Sequence, residues 1–121
     1  MMITVGEMIL RIAVGGLLGA LVGLERHLRA KEAGIRTHFL VGLGSALFMV
    51  ISQFGFPGAE RFDAARVAAQ VVSGMGFLGA GLIIFHKNSV RGLTTAAGIW
   101  VVSAIGLASG AGMFQVAAAA A

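Results

Sequence analysis

The chain has 121 residues, of which 58% are hydrophobic and 12% are charged, and its mean hydropathy is +0.94. In soluble globular domains roughly a quarter of the residues are charged, so this composition excludes an ordinary soluble domain and predicts an all-α integral membrane protein. The formal net charge is +4. The basic residues flank apolar runs without interleaved aromatics, so we expect a lipid bilayer, and not nucleic acid, as the partner.

Apolar runs separated by charged or glycine-containing connections predict a bundle of four transmembrane helices. We expect these helices to cover residues 8–24, 37–54, 63–85 and 93–109, with Thr37 and Asp63 near two helix starts. The first helix lacks a basic leader and a cleavage pattern, so we expect it to be retained. A fifth helix is predicted from about residue 112. It is too short to span, so we expect it to be truncated and residues 1–121 to form one transmembrane domain without a soluble C-terminal domain.

The basic residues predict the orientation of the helices. Four Lys or Arg residues lie between helices 1 and 2 and two between helices 3 and 4, whereas the connection between helices 2 and 3 has only Arg61. Basic loops stay on the cytoplasmic side. We therefore expect residues 25–36 and 86–91 to be cytoplasmic and the amino terminus to lie outside.

Glycines recur in three of the predicted helices, where they permit close contact between backbones. The expected packing positions are Gly15, Gly19, Gly23, Gly74, Gly76, Gly79 and Gly81. One reading is tight packing within a single bundle. The other is a subunit interface, and we expect a homodimer in which the glycine ridge of helix 1 could take part.

Charged and polar residues near the predicted outer ends of helices 1 and 3 suggest a cluster. Its expected members are Glu7, Arg11, Asp63, Arg66 and Gln70. Arg11 lies on the glycine face of helix 1 and either points into the protein or extends to the headgroups. The cluster is then either a structural salt-bridge lock or the mouth of an ion or ligand site.

A second group of residues surrounds the cytoplasmic entries of helices 2 and 4. This rim comprises Glu25, Arg26, Arg36, Thr37, His38, Arg91, Thr94 and Thr95. Helix amides, hydroxyls and arginines together could bind a phosphate, a lipid headgroup or a partner carboxylate, although positive-inside anchoring and helix capping also explain them. The spacing of the three histidines, His27, His38 and His86, matches no zinc motif. We expect no metal site, no cofactor and no enzymatic activity.

Several of these segments together resemble the MgtC/SapB family over nearly the whole chain. The resemblance is carried by residues 19–26 (GALVGLER), 33–38 (AGIRTH), 43–48 (LGSALF), 66–68 (RVA), 74–81 (GMGFLGAG), 90–97 (VRGLTTAA), Trp100 and residues 104–108 (AIGLA). It implies a bacterial inner-membrane domain of about five helices, followed in many members by a small cytoplasmic domain of ACT-like fold. It also implies roles in growth at low magnesium, in survival inside macrophages and in restraint of the F-type ATP synthase.

Two functions of different classes are therefore expected. The first is a non-enzymatic regulator that acts on membrane protein partners, in magnesium limitation and virulence-type intracellular survival. The second is a small channel or transporter, for Mg²⁺ or another ion, that uses the polar faces of helices 1 and 3. The few carboxylates near the outer face, all close to arginines, make a weak cation site.

Overall fold

The computed structural model describes residues 3–86 and 88–121, without the side chains of Phe85 and His86. Lys87, part of the predicted basic connection, lies outside the described residues. The elements are α1 (Val5–Leu28), α2 (Ile35–Phe54), α3 (Arg66–Leu82), β1 (Ile84–His86), β2 (Ser89–Arg91), α4 (Leu93–Gly110) and α5 (Phe114–Ala120). The expectation of a helical chain is confirmed, with one small hairpin added.

Three helices, α1, α2 and α4, are long and apolar enough to cross a membrane. The expected set of four spans is not confirmed, because α3 has only 17 residues. At 1.5 Å per residue such a helix is about 26 Å long, somewhat less than the roughly 30 Å of a bilayer core. The chain is thus a membrane protein by its apolar helices, with α3 as a shorter companion.

The predicted third helix was too long at both ends. Asp63 lies before α3 and accepts a hydrogen bond from the backbone N–H of Ala65 at 2.9 Å, which forms a turn instead of a helix start. At the other end β1 and β2 pair as antiparallel strands, with Ile84 opposite Arg91. Gly92 then begins α4 at φ 88, a left-handed conformation that favours glycine.

The other helices are close to their predicted positions. Helix α1 extends beyond residues 8–24 in both directions, because Thr4 accepts a hydrogen bond from the N–H of Glu7 and the charged residues after Leu24 continue the helix. Helix α2 begins at Ile35, after Gly34, so Thr37 lies in its first turn and is not its cap. Charged residues did not end α1 because they can reach water from a helix end as well as from a loop.

The core lies where α1, α2 and α4 meet. Buried apolar side chains from these helices form it, together with Ala33 of the α1–α2 connection and Ala117 of α5. Helix α3 packs on α4 and α2, and α5 returns to α4 and α1. The three long helices therefore form the body of the domain, and α3 lies on one side of it.

Candidate functional site

The glycines of α1 contact α2 within the chain. A Cβ atom on Gly15 would lie 2.8 Å from the carbonyl oxygen of Gly42, and one on Gly23 would lie 2.7 Å from the Cα of Ile35. A Cβ on Gly19 would overlap the carbonyl oxygen of His38. The ridge of α1 is thus already occupied by α2. Gly42, which the sequence did not single out, also approaches α4, since a Cβ on Gly106 would overlap its carbonyl oxygen.

The glycines of α3 behave differently. A Cβ atom added to Gly74, Gly76 or Gly81 would meet no heavy atom within 4 Å among the described residues. Only Gly79 faces a neighbour, with its added Cβ at an ordinary 3.5 Å from the Cβ of Ala96. Three of the four expected packing positions on α3 therefore point away from the rest of the chain.

Arg11 points into the protein and joins the ends of three helices. Its Nη1 donates to the carbonyl oxygen of Gly110 at 3.1 Å and to Oε1 of Gln53 at 3.4 Å, while its Nη2 donates to Oε1 of Glu7 at 3.0 Å. The guanidinium also lies 5.4 Å from the ring centre of Phe54. Only 13% of the Arg11 side chain is exposed. We call Glu7, Arg11, Gln53 and Gly110 the Arg11 cluster.

Helix ends explain this arrangement. The last carbonyls of a helix lack intrahelical partners and carry a partial negative charge, so a cation is favourable beside them. Arg11 supplies that cation at the C-terminal ends of α2 and α4. A further bond, from the hydroxyl of Ser109 to the carbonyl oxygen of Arg11 at 2.8 Å, connects α4 to the backbone of α1.

The predicted outer cluster is therefore divided. Glu7 and Arg11 lie together, but α3 packs on α4 and α2, and Arg11 is bonded to residues of α1, α2 and α4. Asp63, Arg66 and Gln70 are exposed, and the residues bonded to the Arg11 side chain are Glu7, Gln53 and Gly110. The sequence could place Arg66 and Gln70 on one face of a helix, but it could not show which way that face points.

At the opposite end of the helices, Thr95 joins the α1–α2 connection to the start of α4. Nη2 of Arg26 donates to Oγ1 of Thr95 at 3.2 Å, and this hydroxyl donates to Oε2 of Glu32 at 2.8 Å. Thr95 is buried. We call Arg26, Glu32 and Thr95 the Thr95 cluster. Glu32 was missed from the sequence, where it looked like one charge among several in a basic loop.

The Thr95 cluster changes the acidity of Glu32. A backbone hydrogen bond of Glu32 itself, followed by the hydroxyl of Thr95, lowers the pKa of this carboxyl group below its ordinary value of 4.5. Burial opposes this by raising the pKa, and the positive charges of Lys31 and Arg26, each with a smaller effect than burial, lower the pKa further. The carboxylate is thus held in its charged form. It also lines, with Arg26 and Lys31, a cavity of about 170 Å³.

The remaining rim residues do not form one site. Glu25 pairs with Arg29 at 2.7 Å on the surface of α1. Arg36 and Thr37 line a cavity of about 500 Å³ with His27. Thr94 is exposed and lines the cavity of the Thr95 cluster, and Arg91 is exposed on β2. The cavity that Arg36 lines does not include Arg91, the arginine expected to act with it.

His38 is fully buried at the start of α2. Its Nδ1 lies 2.7 Å from the carbonyl oxygen of Gly34, which can only accept, so Nδ1 carries a proton and donates it. The other ring nitrogen, Nε2, has no hydrogen-bond partner among the described residues. This histidine therefore stabilises the start of α2, where α2 packs against Gly19 and Gly23 of α1.

The described residues contain no group of three or more His, Asp or Glu side chains placed to hold a metal ion. The carboxylate of Glu7 lies beside Arg11, and that of Glu32 beside the hydroxyl of Thr95. Both clusters can neutralise charge and fasten helices together. Neither presents the several oxygen ligands that Mg²⁺ or Ca²⁺ prefers.

Comparison with known proteins gives consistent matches. The model of the MgtC family matches residues 12–121. The chain is 46% identical over 114 residues to the candidate magnesium transporter YhiD of Escherichia coli K12, which covers 90% of this chain and 53% of that protein. It is 46% identical over 112 residues to the protein MgtC of Salmonella typhimurium LT2, with 93% and 47% covered.

A further relative, the protein MgtC of Brucella abortus, is 48% identical over 104 residues, which are 86% of this chain and 42% of that protein. The chain thus spans about half the length of the curated relatives it matches. No solved structure gives a significant match to it.

Proposed function

The chain belongs to the MgtC family, and from that premise we propose that it is a non-enzymatic bacterial inner-membrane protein that supports growth at low magnesium by regulating membrane partners. The F-type ATP synthase is the partner we propose first, because the family resemblance implies it. A role in intracellular survival would follow from the same regulation. The magnesium connection is supported by the name of the relative YhiD, a candidate magnesium transporter.

The Arg11 cluster is the observation that favours a regulatory role over a role in transport. An intramembrane charge in a transporter normally faces a water-filled cavity or its substrate. Here the guanidinium is bonded to Glu7, Gln53 and Gly110 and lies beside the ring of Phe54. Such a closed arrangement suits a structural lock, which leaves the outer surface of the bundle for contacts with other proteins.

We propose an orientation in which the Thr95 cluster faces the cytoplasm. There Arg26 and Glu32 of the first basic connection bond to Thr95, which lies in α4 shortly after the second basic connection. Two basic connections at one end of the bundle support a shared cytoplasmic side, by positive-inside charge. A membrane-impermeant maleimide added to intact spheroplasts should label Ala59→Cys and not Lys31→Cys. The reverse labelling would invert the proposed orientation. The chain has no cysteine of its own, so each label reports one position.

The regulatory function can be tested in two stages. In a strain that lacks its own MgtC-family protein, the chain should restore growth at low magnesium. Inverted membrane vesicles from that strain should then show slower ATP-driven proton pumping when the chain is present. Growth without any change in pumping would exclude the ATP synthase as the partner. Failure to restore growth at normal membrane levels of the chain would contradict the magnesium role.

Transport of an ion is the second candidate function, favoured by the name of the relative YhiD. Purified chain in liposomes with an internal magnesium-sensitive dye decides it. On this hypothesis magnesium enters faster than into empty vesicles, and Arg11→Gln changes the rate. If magnesium, protons and common anions all enter at the rate of empty vesicles, transport by this chain is excluded.

A further inference from the structure

Helix α3 carries a row of outward side chains that the described residues leave uncovered. Arg66, Gln70, Ser73 and Phe77 follow at intervals of three and four residues, so they share one face of the helix. All four are exposed, and Phe77 has 82% of its surface accessible. The opposite face, with Val71 and the other inward residues, packs on α4 and α2.

Helix α3 packs beside a helix that is long enough to span a membrane. The hairpin after α3 returns the chain into α4, which is long enough to span, and Gly79 of α3 faces Ala96 of α4. With a rise of 1.5 Å per residue, Gln70 and Ser73 lie about 6 Å and about 10 Å along the helix from Arg66. In the described part of the chain, neither side chain has a hydrogen-bond partner. Contact of such groups with lipid would be unfavourable, so a protein surface packed over this face would stabilise them.

The shape of the face complements itself. Phe77 projects from the helix, and Gly74 and Gly81 lie three residues before it and four after it, with open space where their side chains would be. A large side chain beside two hollows on one helix can pack into the hollows of an identical helix, as small residues allow in membrane helix pairs.

The polar residues are also self-complementary. The amide of Gln70 contains both donors and an acceptor, so two copies can bond to each other. Asp63 and Arg66 carry opposite charges at the same end of the helix and are both exposed. Two chains related by a two-fold axis along the membrane normal would bring the α3 helices together in parallel, with each arginine near the aspartate of its partner.

We infer that the outward face of α3, formed by Arg66, Gln70, Ser73, Gly74, Phe77 and Gly81, is the surface on which a second copy of this chain packs. The ridge of α1, from which the sequence analysis expected a dimer, is occupied by α2. The dimer through α3 does not depend on the proposed regulatory function.

Single cysteines test this interface directly, because the chain contains none. Ser73→Cys is a change of nearly equal size at the centre of the face. Ala13→Cys, an exposed small residue of α1 within the membrane, is the matched control. In native membranes treated with an oxidant, Ser73→Cys should give a disulfide-linked species of twice the chain mass as its main product. Ala13→Cys should give only traces.

A second substitution distinguishes a specific dimer interface from random encounters between chains in the membrane. In the Ser73→Cys background, Gly74→Leu should fill the hollow for Phe77 and lower the dimer yield roughly ten-fold. Gly44→Leu is the control, since its added side chain also meets open space but lies on α2. The inference is overturned if Ser73→Cys links no better than Ala13→Cys, if its product has another mass, or if Gly74→Leu and Gly44→Leu have equal effects.

Discussion

Gly42 of α2 and two glycines of α3, Gly74 and Gly81, have opposite surroundings, although they look alike in the sequence. Gly42 brings its carbonyl oxygen against α1 and α4, so backbone meets backbone at the centre of the bundle. Gly74 and Gly81 of α3 meet nothing within 4 Å in the described part of the chain. A glycine in a membrane helix therefore marks a close approach only when a neighbour is present, and an uncovered glycine face suggests a neighbour from another chain.

The largest expected effect tests the close approach. Gly42→Leu would force its side chain into the backbones of Gly15 and Gly19, at a cost at or above the upper end of overpacking, about 3 kcal/mol. Thermal unfolding in detergent, followed by circular dichroism, should show little folded protein. Gly44→Leu, two residues along the same helix, should stay within about 0.5 kcal/mol of the parent. Equal losses of stability in the two variants would mean that the Gly42 side of α2 is packed no more tightly than the Gly44 side.

The next largest effect is expected at Arg11, whose guanidinium bonds to the ends of α2 and α4. Arg11→Ala leaves the carbonyl of Gly110 and the amide of Gln53 without their donor, which should cost about 1–3 kcal/mol. Arg61→Ala, in the exposed connection before α3, should change the free energy of unfolding by less than about 0.5 kcal/mol. The comparison fails if unfolding in denaturant gives the same midpoint for both variants.

A smaller effect is expected at the Thr95 cluster. Thr95→Val keeps the shape and removes the hydroxyl that bonds Arg26 and Glu32, so we expect a loss of about 1 kcal/mol. Thr94→Val, at the exposed neighbouring position, is the control. Thermal unfolding of the two variants at neutral pH gives the difference, and equal midpoints would contradict it.

The same pair of variants has a pH dependence with a defined sign. The folded pKa of Glu32 lies below its ordinary value of 4.5. Its stabilising contribution is therefore present above that value and is lost as the pH falls through the folded pKa. When the pH is lowered from above 4.5 through the folded pKa of Glu32, the parent should lose more stability than Thr95→Val. An acid unfolding series measures it, and identical slopes would show that Thr95 does not support the charge.

The smallest effect belongs to the open side of α3. Gly76→Ala adds a methyl group where no atom lies within 4 Å and away from the proposed dimer face. Because glycine is unfavourable inside a helix, this change should stabilise the chain by about 0.5–1 kcal/mol. A loss of stability in thermal unfolding would indicate that this side of α3 is covered within the chain.

Several features were predictable because they depend on local sequence. Apolar runs identified helices near all their observed positions. The spacing of Arg11 on the glycine face of α1 left two alternatives, an inward side chain or one extended to the headgroups, and the structure has the inward one. The strand β1 (Ile84–His86) was missed, because a short apolar strand directly after a helix has the same residue types as the last turn of that helix. Glu32 was missed because its partner, Thr95, lies 63 residues away.

By itself the sequence determined that the chain resides in a membrane, which segments are helical, and which residues share a helix face, because hydrophobic content and periodicity are local properties. The tertiary structure alone decided which face meets which neighbour. It directed Arg11 to the ends of α2 and α4 instead of to α3, and it covered the glycines of α1 while leaving those of α3 open. The physical reason is that lipid supplies no hydrophobic drive between helices, so their arrangement depends on close packing and polar contacts between residues far apart in the chain.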